Sequence, residues 1–396
     1  TESWEKIVAP VKLNYILGNP PFGGARLMTA QQKEEFLLLF SGITGAGNLD
    51  YVTAWYKKAA DMMNQNPEIL TAFVSTNSIC QGEQVAVLWK HLFDEYGIKI
   101  NFAYHTFKWG NEARGNAAVH CIIVGFSRKS IANKVIYRPD GVKQQVKNIN
   151  GYLIDAEDIF IASKSRPICS VPSMSLGNQP IDGGNYLFTS EEKDDFLRIE
   201  PQAEKWFRPW IGSIEFINRY CRYFLFLRDC PSDELRTMPE AMKRVQAVKT
   251  FRRASKRPVT RALAETPREF AFSNISKGTF IVVPEVSSER RKYVPIGFLT
   301  PSILCSNLVK IIPNATLYHF GILNSSMHNS WMRAVCGRLK SDYRYSNTLV
   351  YNNFPWPSPL EKQKAYIEHL AETVLMTREM YPDMTLADMY DPDKMP

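Results

Sequence analysis

A chain of 396 residues is too long for one ordinary hydrophobic core, so two or three domains are expected. An apolar fraction of 45%, with no run of 18 apolar residues and no charged-then-apolar leader, points to neither a membrane-spanning helix nor an export signal. Seven scattered cysteines without a Cys-x-x-Cys pair argue against disulfides and a zinc site and fit a reducing cytoplasm, while a net charge of +8 points to a polyanionic partner.

The first predicted element is a strand over residues 13–17, followed directly by Gly18-Asn19-Pro20-Pro21-Phe22-Gly23-Gly24. Two successive prolines fix φ and remove competing N–H donors, so the Asn19 side-chain oxygen and the Pro20 carbonyl stand as rigid acceptors beside the flat face of Phe22. An exocyclic amine on an aromatic base is a poor nucleophile, because its lone pair is delocalised into the ring. Two acceptors that take its hydrogens relieve that. Here the chain resembles amino-methyltransferases that use S-adenosylmethionine, whose motif at this place is Asn/Asp/Ser-Pro-Pro-aromatic. The resemblance implies Asn19, Pro20, Pro21 and Phe22 as catalytic residues and no metal. A bland alternative is a proline-stiffened loop after a buried strand.

Helices are predicted over 29–40 and 51–63, with strands over 70–75, 98–104 and 120–126. Short apolar runs alternating with helical patterns suggest a parallel α/β sheet. The glycine-rich stretch 41–48 reads as a mobile loop. It follows no strand, so its glycines make a poor phosphate cradle. The resemblance implies Asp50 and Tyr51 as cofactor-binding residues, Asn77 as a support beside the site, and Trp109, or failing it Phe107, as a second aromatic closing on the target base. Polar, Pro- and Gly-containing sequence over 163–184 marks a boundary. Beyond it, aromatic-rich runs over 220–227, 279–283 and 308–312 suggest a mixed α+β domain. From Arg236 to Arg268 there are ten Lys or Arg against two acidic residues, which predicts phosphate contacts from Lys249, Arg252, Arg253, Lys256, Arg257 and Arg261, although a solvated helix face reads the same way. Near the end, Ser358 is expected to cap a helix with Pro359 at its first position and an apolar stripe of Ile367, Leu370, Ala371, Val374 and Leu375.

Further motifs make the resemblance specific. Phe107-Lys108-Trp109-Gly110-Asn111-Glu112-Ala113, Ile211-Gly212-Ser213 with Glu215 and Asn218, Val283-Pro284-Glu285, Cys336-Gly337-Arg338-Leu339-Lys340-Ser341-Asp342-Tyr343-Arg344 and Tyr351-Asn352-Asn353-Phe354-Pro355-Trp356 are similar to the MmeI-like group of single-chain restriction-modification enzymes. That resemblance implies α/β architecture: part of a Rossmann-like class I methyltransferase sheet over 1–165, an α+β target recognition domain over 166–355 and a helical segment over 356–396. The implied activity is methylation of the adenine amino group in a specific site of double-stranded DNA, with the base flipped out. No Phe-x-Gly-x-Gly loop precedes the pocket motif, so the chain is expected to begin within the methyltransferase sheet, to bind S-adenosylmethionine poorly and to be inactive alone. Arg338, Lys340, Asp342 and Arg344 fall in the implied recognition domain. A Lys donates to guanine and an Asp accepts from cytosine, so Lys340 and Asp342 form a candidate reader of one G·C pair, unless they merely pair with each other. The alternatives are a DNA-binding specificity fragment without turnover, and an RNA adenine or protein glutamine methyltransferase; the basic second domain argues against the last two.

Overall fold

Alternation of buried and half-exposed side chains along Leu70–Thr76 sets the plan of the first unit. In this computed structural model, which describes residues 4–109 and 119–396, a six-stranded sheet runs in the order β1-β2-β4-β3-β5-β6. Its strands are β1 (Tyr15–Gly18), β2 (Leu70–Thr76), β3 (Lys99–Trp109), β4 (Val119–Ser127), β5 (Lys134–Tyr137) and β6 (Lys143–Val146). The expected all-parallel sheet is corrected to a mixed one. β1 pairs parallel with β2, and β3 with β5, but β4 lies antiparallel between β2 and β3. The reason is connectivity: β3 ends at Trp109 and β4 begins at Val119, and so short a connection cannot supply the crossover of a dozen or more residues that a parallel pair needs. β1, β2, β3 and β5 still point the same way.

Phe73, Val124, Phe126 and Ala103 face a core shared with the helices Thr53–Gln65 and Gly82–Tyr96, where Tyr56, Trp89 and Leu92 have no exposure. The opposite face carries Tyr15, Leu17, Leu70 and Tyr104, all more than a third exposed. There the Phe102 ring lies across Gly125, where a Cβ would come within 2.0 Å of it. The glycine-rich stretch is anchored at its far end, where Ala46 and, just beyond it, Leu49 are buried in the core.

The chain divides into two compact units, Thr1–Ser165 with Met332–Asn353, and Arg166–Trp331 with Phe354–Pro396. Asn352 and Asn353 secure the returning segment. Their side-chain amides donate to the carbonyls of Lys164 at 2.7 Å and Ala162 at 3.1 Å, and the Lys164 N–H donates to the Thr348 carbonyl at 3.0 Å.

In the second unit, two four-stranded sheets form where the aromatic-rich runs predict strands. One has Phe207–Ile211 and Arg222–Leu225 at its centre, and the other Phe280–Pro284 and Val309–Pro313. Phe280–Pro284 is buried at every position, as a central strand should be. The last long helix begins at Glu361 instead of Pro359, because the Gln363 side chain caps the Leu360 N–H at 2.9 Å. Its stripe meets the helix Leu317–Leu323 at Gly321, where a Cβ would lie 2.8 Å from Ile367.

Candidate functional site

Ligands of open α/β sheets bind outside the carboxyl ends of the strands, and three such ends converge here. β1 ends into Asn19-Pro20-Pro21-Phe22, β2 into Thr76-Asn77-Ser78 and β3 into Phe107 and Trp109. Within the sheet, Cys121 of β4 pairs with Thr76 on one side and Phe107 on the other, so the last two ends are next-but-one neighbours. A register shift between Tyr104 and Phe107 breaks the strand's alternation just before its aromatic tip.

Asn19 is exposed, Pro20 buried and Phe22 half-buried against the core. The loop is latched to the next candidate pair. The Tyr51 N–H donates to the Gly23 carbonyl at 2.8 Å, and Oδ1 of Asp50 lies 3.9 Å from where a Cβ on Gly24 would stand. Asp50 is itself 9% exposed. Its Oδ2 accepts from Thr76 Oγ1 at 3.2 Å and from Ser78 Oγ, and its N–H donates to Gln84 Oε1 at 3.0 Å. Tyr51 packs edge-on against Trp55, with ring centroids 5.2 Å apart. Sequence reasoning singled out Asp50 but assigned no role to Thr76, Ser78 or Gln84; the hydroxyls on either side of Asn77 at a strand end were the available signal. The Asn77 side-chain amide donates to Thr106 Oγ1 at 3.4 Å, which ties the end of β2 to β3.

A carboxylate with one oxygen held by two hydroxyls and the other beside a glycine pair at a sheet's carboxyl edge is a donor set that fits an ammonium, as the amino-acid end of S-adenosylmethionine carries. Phe107 and Trp109 have ring centroids 6.1 Å apart, and Trp109 is 42% exposed, so a flat face is available at the tip of β3. The rest of the motif, Gly110 to Ala113, lies outside the described residues.

The basic segment separates into two populations. Arg252 is 1% exposed, and all five of its N–H groups donate to backbone carbonyls: Ile181, Leu263, Thr266, Pro180 and Glu269, at 2.7 to 3.0 Å. The expected phosphate contact from Arg252 is therefore replaced by a cross-link inside the second unit, since no donor is left to offer. Lys256, Arg257, Arg253 and Arg261 are exposed and Lys249 half-buried. Arg253 and Lys249 reach Glu265 at 3.1 and 3.8 Å, and Arg261 donates to the carbonyls of Ser255 and Lys256.

Arg338, Lys340, Asp342 and Arg344 lie on a hairpin, Gly337–Leu339 against Asp342–Arg344, closed by the two-residue turn Lys340-Ser341 with Lys340 at φ 60°. Leu339 pairs with Asp342 and Gly337 with Arg344, so Asp342 and Arg344 share one face. Arg338 is on the other, its guanidinium 4.3 Å above the Tyr343 ring and donating to the Ser341 carbonyl at 2.9 Å. Lys340 stands exposed at the tip.

Three family models match the chain: the MmeI DNA-methyltransferase domain over residues 1–138, the MmeI target recognition domain over 155–358 and the MmeI C-terminal domain over 360–396. Among curated proteins, DNA methyltransferase A of Bacillus subtilis (strain 168) is 41% identical over 383 residues, 96% of this chain and 43% of that protein. Among solved structures, the type IIL restriction-modification enzyme MmeI in complex with DNA superposes with a TM-score of 0.96 at 46% identity, over 100% of this chain and 53% of that one. The chain thus spans about half the length of these relatives.

Proposed function

The chain belongs to the MmeI family of restriction-modification methyltransferases, and from that premise we propose that it is the target-binding half of a site-specific DNA methyltransferase acting on the adenine amino group. The observation that carries this reading is the Asn19-Pro20-Pro21-Phe22 loop at the carboxyl end of β1, latched through Gly23 to the buried Asp50 turn. The proposed partner is double-stranded DNA, from which the adenine is swung out to lie on Phe22 with Trp109 or Phe107 opposite. S-adenosylmethionine, the proposed donor, supplies a methyl group on a positively charged sulfur.

The chain's own residues act by placement. The Asn19 oxygen accepts one hydrogen of the amine and the Pro20 carbonyl the other, which frees the nitrogen lone pair from the ring for attack. When bound, the donor would offer its methyl carbon to that lone pair, its C–S bonding pair returning to sulfur, and the proton then shed by the amine would pass by way of the Asn19 and Pro20 oxygens to solvent. Asp50 would hold the donor's ammonium, and Tyr51 would pack against its adenosyl or methionine part. No acid or base is needed before bond formation, so fixed geometry is the main contribution.

The test is Asn19→Ala in the full natural polypeptide, with Phe22→Ala beside it. Asn19→Ala is expected to abolish methyl transfer and spare DNA affinity. Phe22→Ala is expected to lower 2-aminopurine fluorescence at the target position, through loss of a stack worth about 1–3 kcal/mol. Wild-type turnover in Asn19→Ala would sink the pocket assignment.

A further inference from the structure

We infer that the first turn of the helix Gly82–Tyr96 is a positioning element, which holds the hairpin Gly337–Arg344 and the target-base loop at one fixed spacing through Gln84. The inference rests on the methyl-transfer reading above. Three consecutive residues carry it, each facing a different partner. Gly82 has φ +56°, and a Cβ there would lie 3.4 Å from the Gly337 Cα and 3.9 Å from Leu349, so hairpin and helix meet backbone to backbone. Glu83 accepts from Ser163 Oγ at 2.6 Å and from Asn48 Nδ2 at 3.3 Å. Gln84 accepts the Asp50 N–H at 3.0 Å, and the next N–H, that of Tyr51, donates to the carbonyl of Gly23, one residue beyond Phe22.

From hairpin to target loop the path is therefore one close backbone approach, one turn of helix, one hydrogen bond to the Gln84 side chain and one backbone hydrogen bond. All of these residues belong to a single compact unit. The helix cannot drift as the hairpin moves, because Val85, Leu88, Trp89 and Leu92 are fully buried behind its first turn. With the helix fixed, a shift of the hairpin's backbone must break its close approach to Gly82, and a shift of the Asp50 turn must break the Gln84 bond, so both elements are referred to one anchored turn. In this way the base pair touched by the hairpin and the base held by Asn19 are kept in register.

The experiment uses the full natural polypeptide and reads four quantities: DNA affinity, 2-aminopurine fluorescence at the target position, single-turnover methylation and melting temperature. Gln84→Met keeps the side chain's length but removes the acceptor, whereas Gln84→Glu keeps an acceptor. Gln84→Met is expected to leave affinity and melting temperature near wild type while slowing single-turnover methylation by up to about 100-fold, the scale of a misplacement of ~1 Å. Gln84→Glu should restore most of the rate. Gly82→Asn tolerates the left-handed backbone but puts a side chain on the hairpin, and is expected to act like Gln84→Met. Gly337→Ala points its Cβ into open space and should be silent. Wild-type flipping and methylation in both Gln84→Met and Gly82→Asn would overturn the inference. So would a Gln84→Met loss that merely follows a fallen melting temperature and is not restored by Glu. If the wild type flips its target but transfers no methyl group, the function reading fails, and the flipping signal still decides the coupling.

Discussion

Arg252 and Lys256 lie four residues apart in one basic stretch and do opposite things. A sequence shows charge but not burial, and nothing in the text around Arg252 separates it from its neighbours. Neutralising Lys256 or Arg257 is expected to weaken DNA binding on all sequences and to reduce the slope of log affinity against log salt by about 1. Arg252→Ala should leave that slope alone and destabilise the second unit by about 3 kcal/mol or more, since five backbone carbonyls lose their shared, buried donor at once. Urea melts beside salt titrations separate the two outcomes; a lowered slope in a stably folded Arg252→Ala would reverse the assignment. His328 supplies a second residue-level test. It is 1% exposed with its ring edge-on to Phe354, and burial pushes its pKa from 6.5 down to about 3. Between those values the unfolded chain carries a proton that the folded one refuses, so stability falls as pH drops below 6.5, at up to about 1.4 kcal/mol per pH unit for this group. Denaturation midpoints at pH 7 and pH 5 should converge in His328→Gln relative to wild type. An equally steep decline in the variant would assign the acid sensitivity elsewhere.

Elements were legible where local chemistry dictated them. The apolar runs that became β1 to β4 begin close to expectation, because β2, β3 and β4 bury one face and must be apolar there while β1 is apolar yet mostly exposed, and Asn19 to Phe22 stood out because two prolines at a strand end serve few other purposes. The first turn of the helix Gly82–Tyr96 was not legible: Gly82, Glu83 and Gln84 look like an ordinary helix start, and their partners are 34 to 267 residues away in the chain. The hairpin lay between these cases. Its residue types suggested base reading, but pairing across the strands decides which of them share a face. With Lys340 at the tip and Asp342 on the first strand position after the turn, we propose that these two read one G·C pair while Arg338 braces Tyr343 behind them. Exchanging the charges, Lys340→Glu with Asp342→Arg, is expected to invert the preference at one position from G to C with discrimination of about 1–3 kcal/mol. Site selection that returns the parental sequence at every position would remove the pair from the readout.

At the scale of the molecule, the second face of the first unit's sheet leaves Tyr15, Leu17, Leu70 and Tyr104 exposed among the described residues. Tyr15 and Leu17 are 64% and 71% exposed, and among the described residues no strand pairs with the outer side of β1. Such an apolar edge invites association. The 396-residue chain on its own is expected to bind an apolar-sensitive dye and to self-associate as concentration rises, and Tyr15→Thr with Leu17→Lys should reduce both; light scattering and dye titration check this, and an unchanged double mutant would place the sticky surface elsewhere. The return of Met332–Asn353 has a different consequence, one of order in time. The chain leaves the first unit after Ser165, builds most of the second, comes back, and leaves again at Asn353. A ribosome delivers residues in sequence, so the segment that seals the first unit emerges only after about half the chain has followed β6. Until then Gly82 has no hairpin to meet and Lys164 no partner in Thr348. The first unit thus cannot finish until most of the second has been made, and the second in turn waits for Phe354–Pro396, so neither can be completed before the other is largely synthesised.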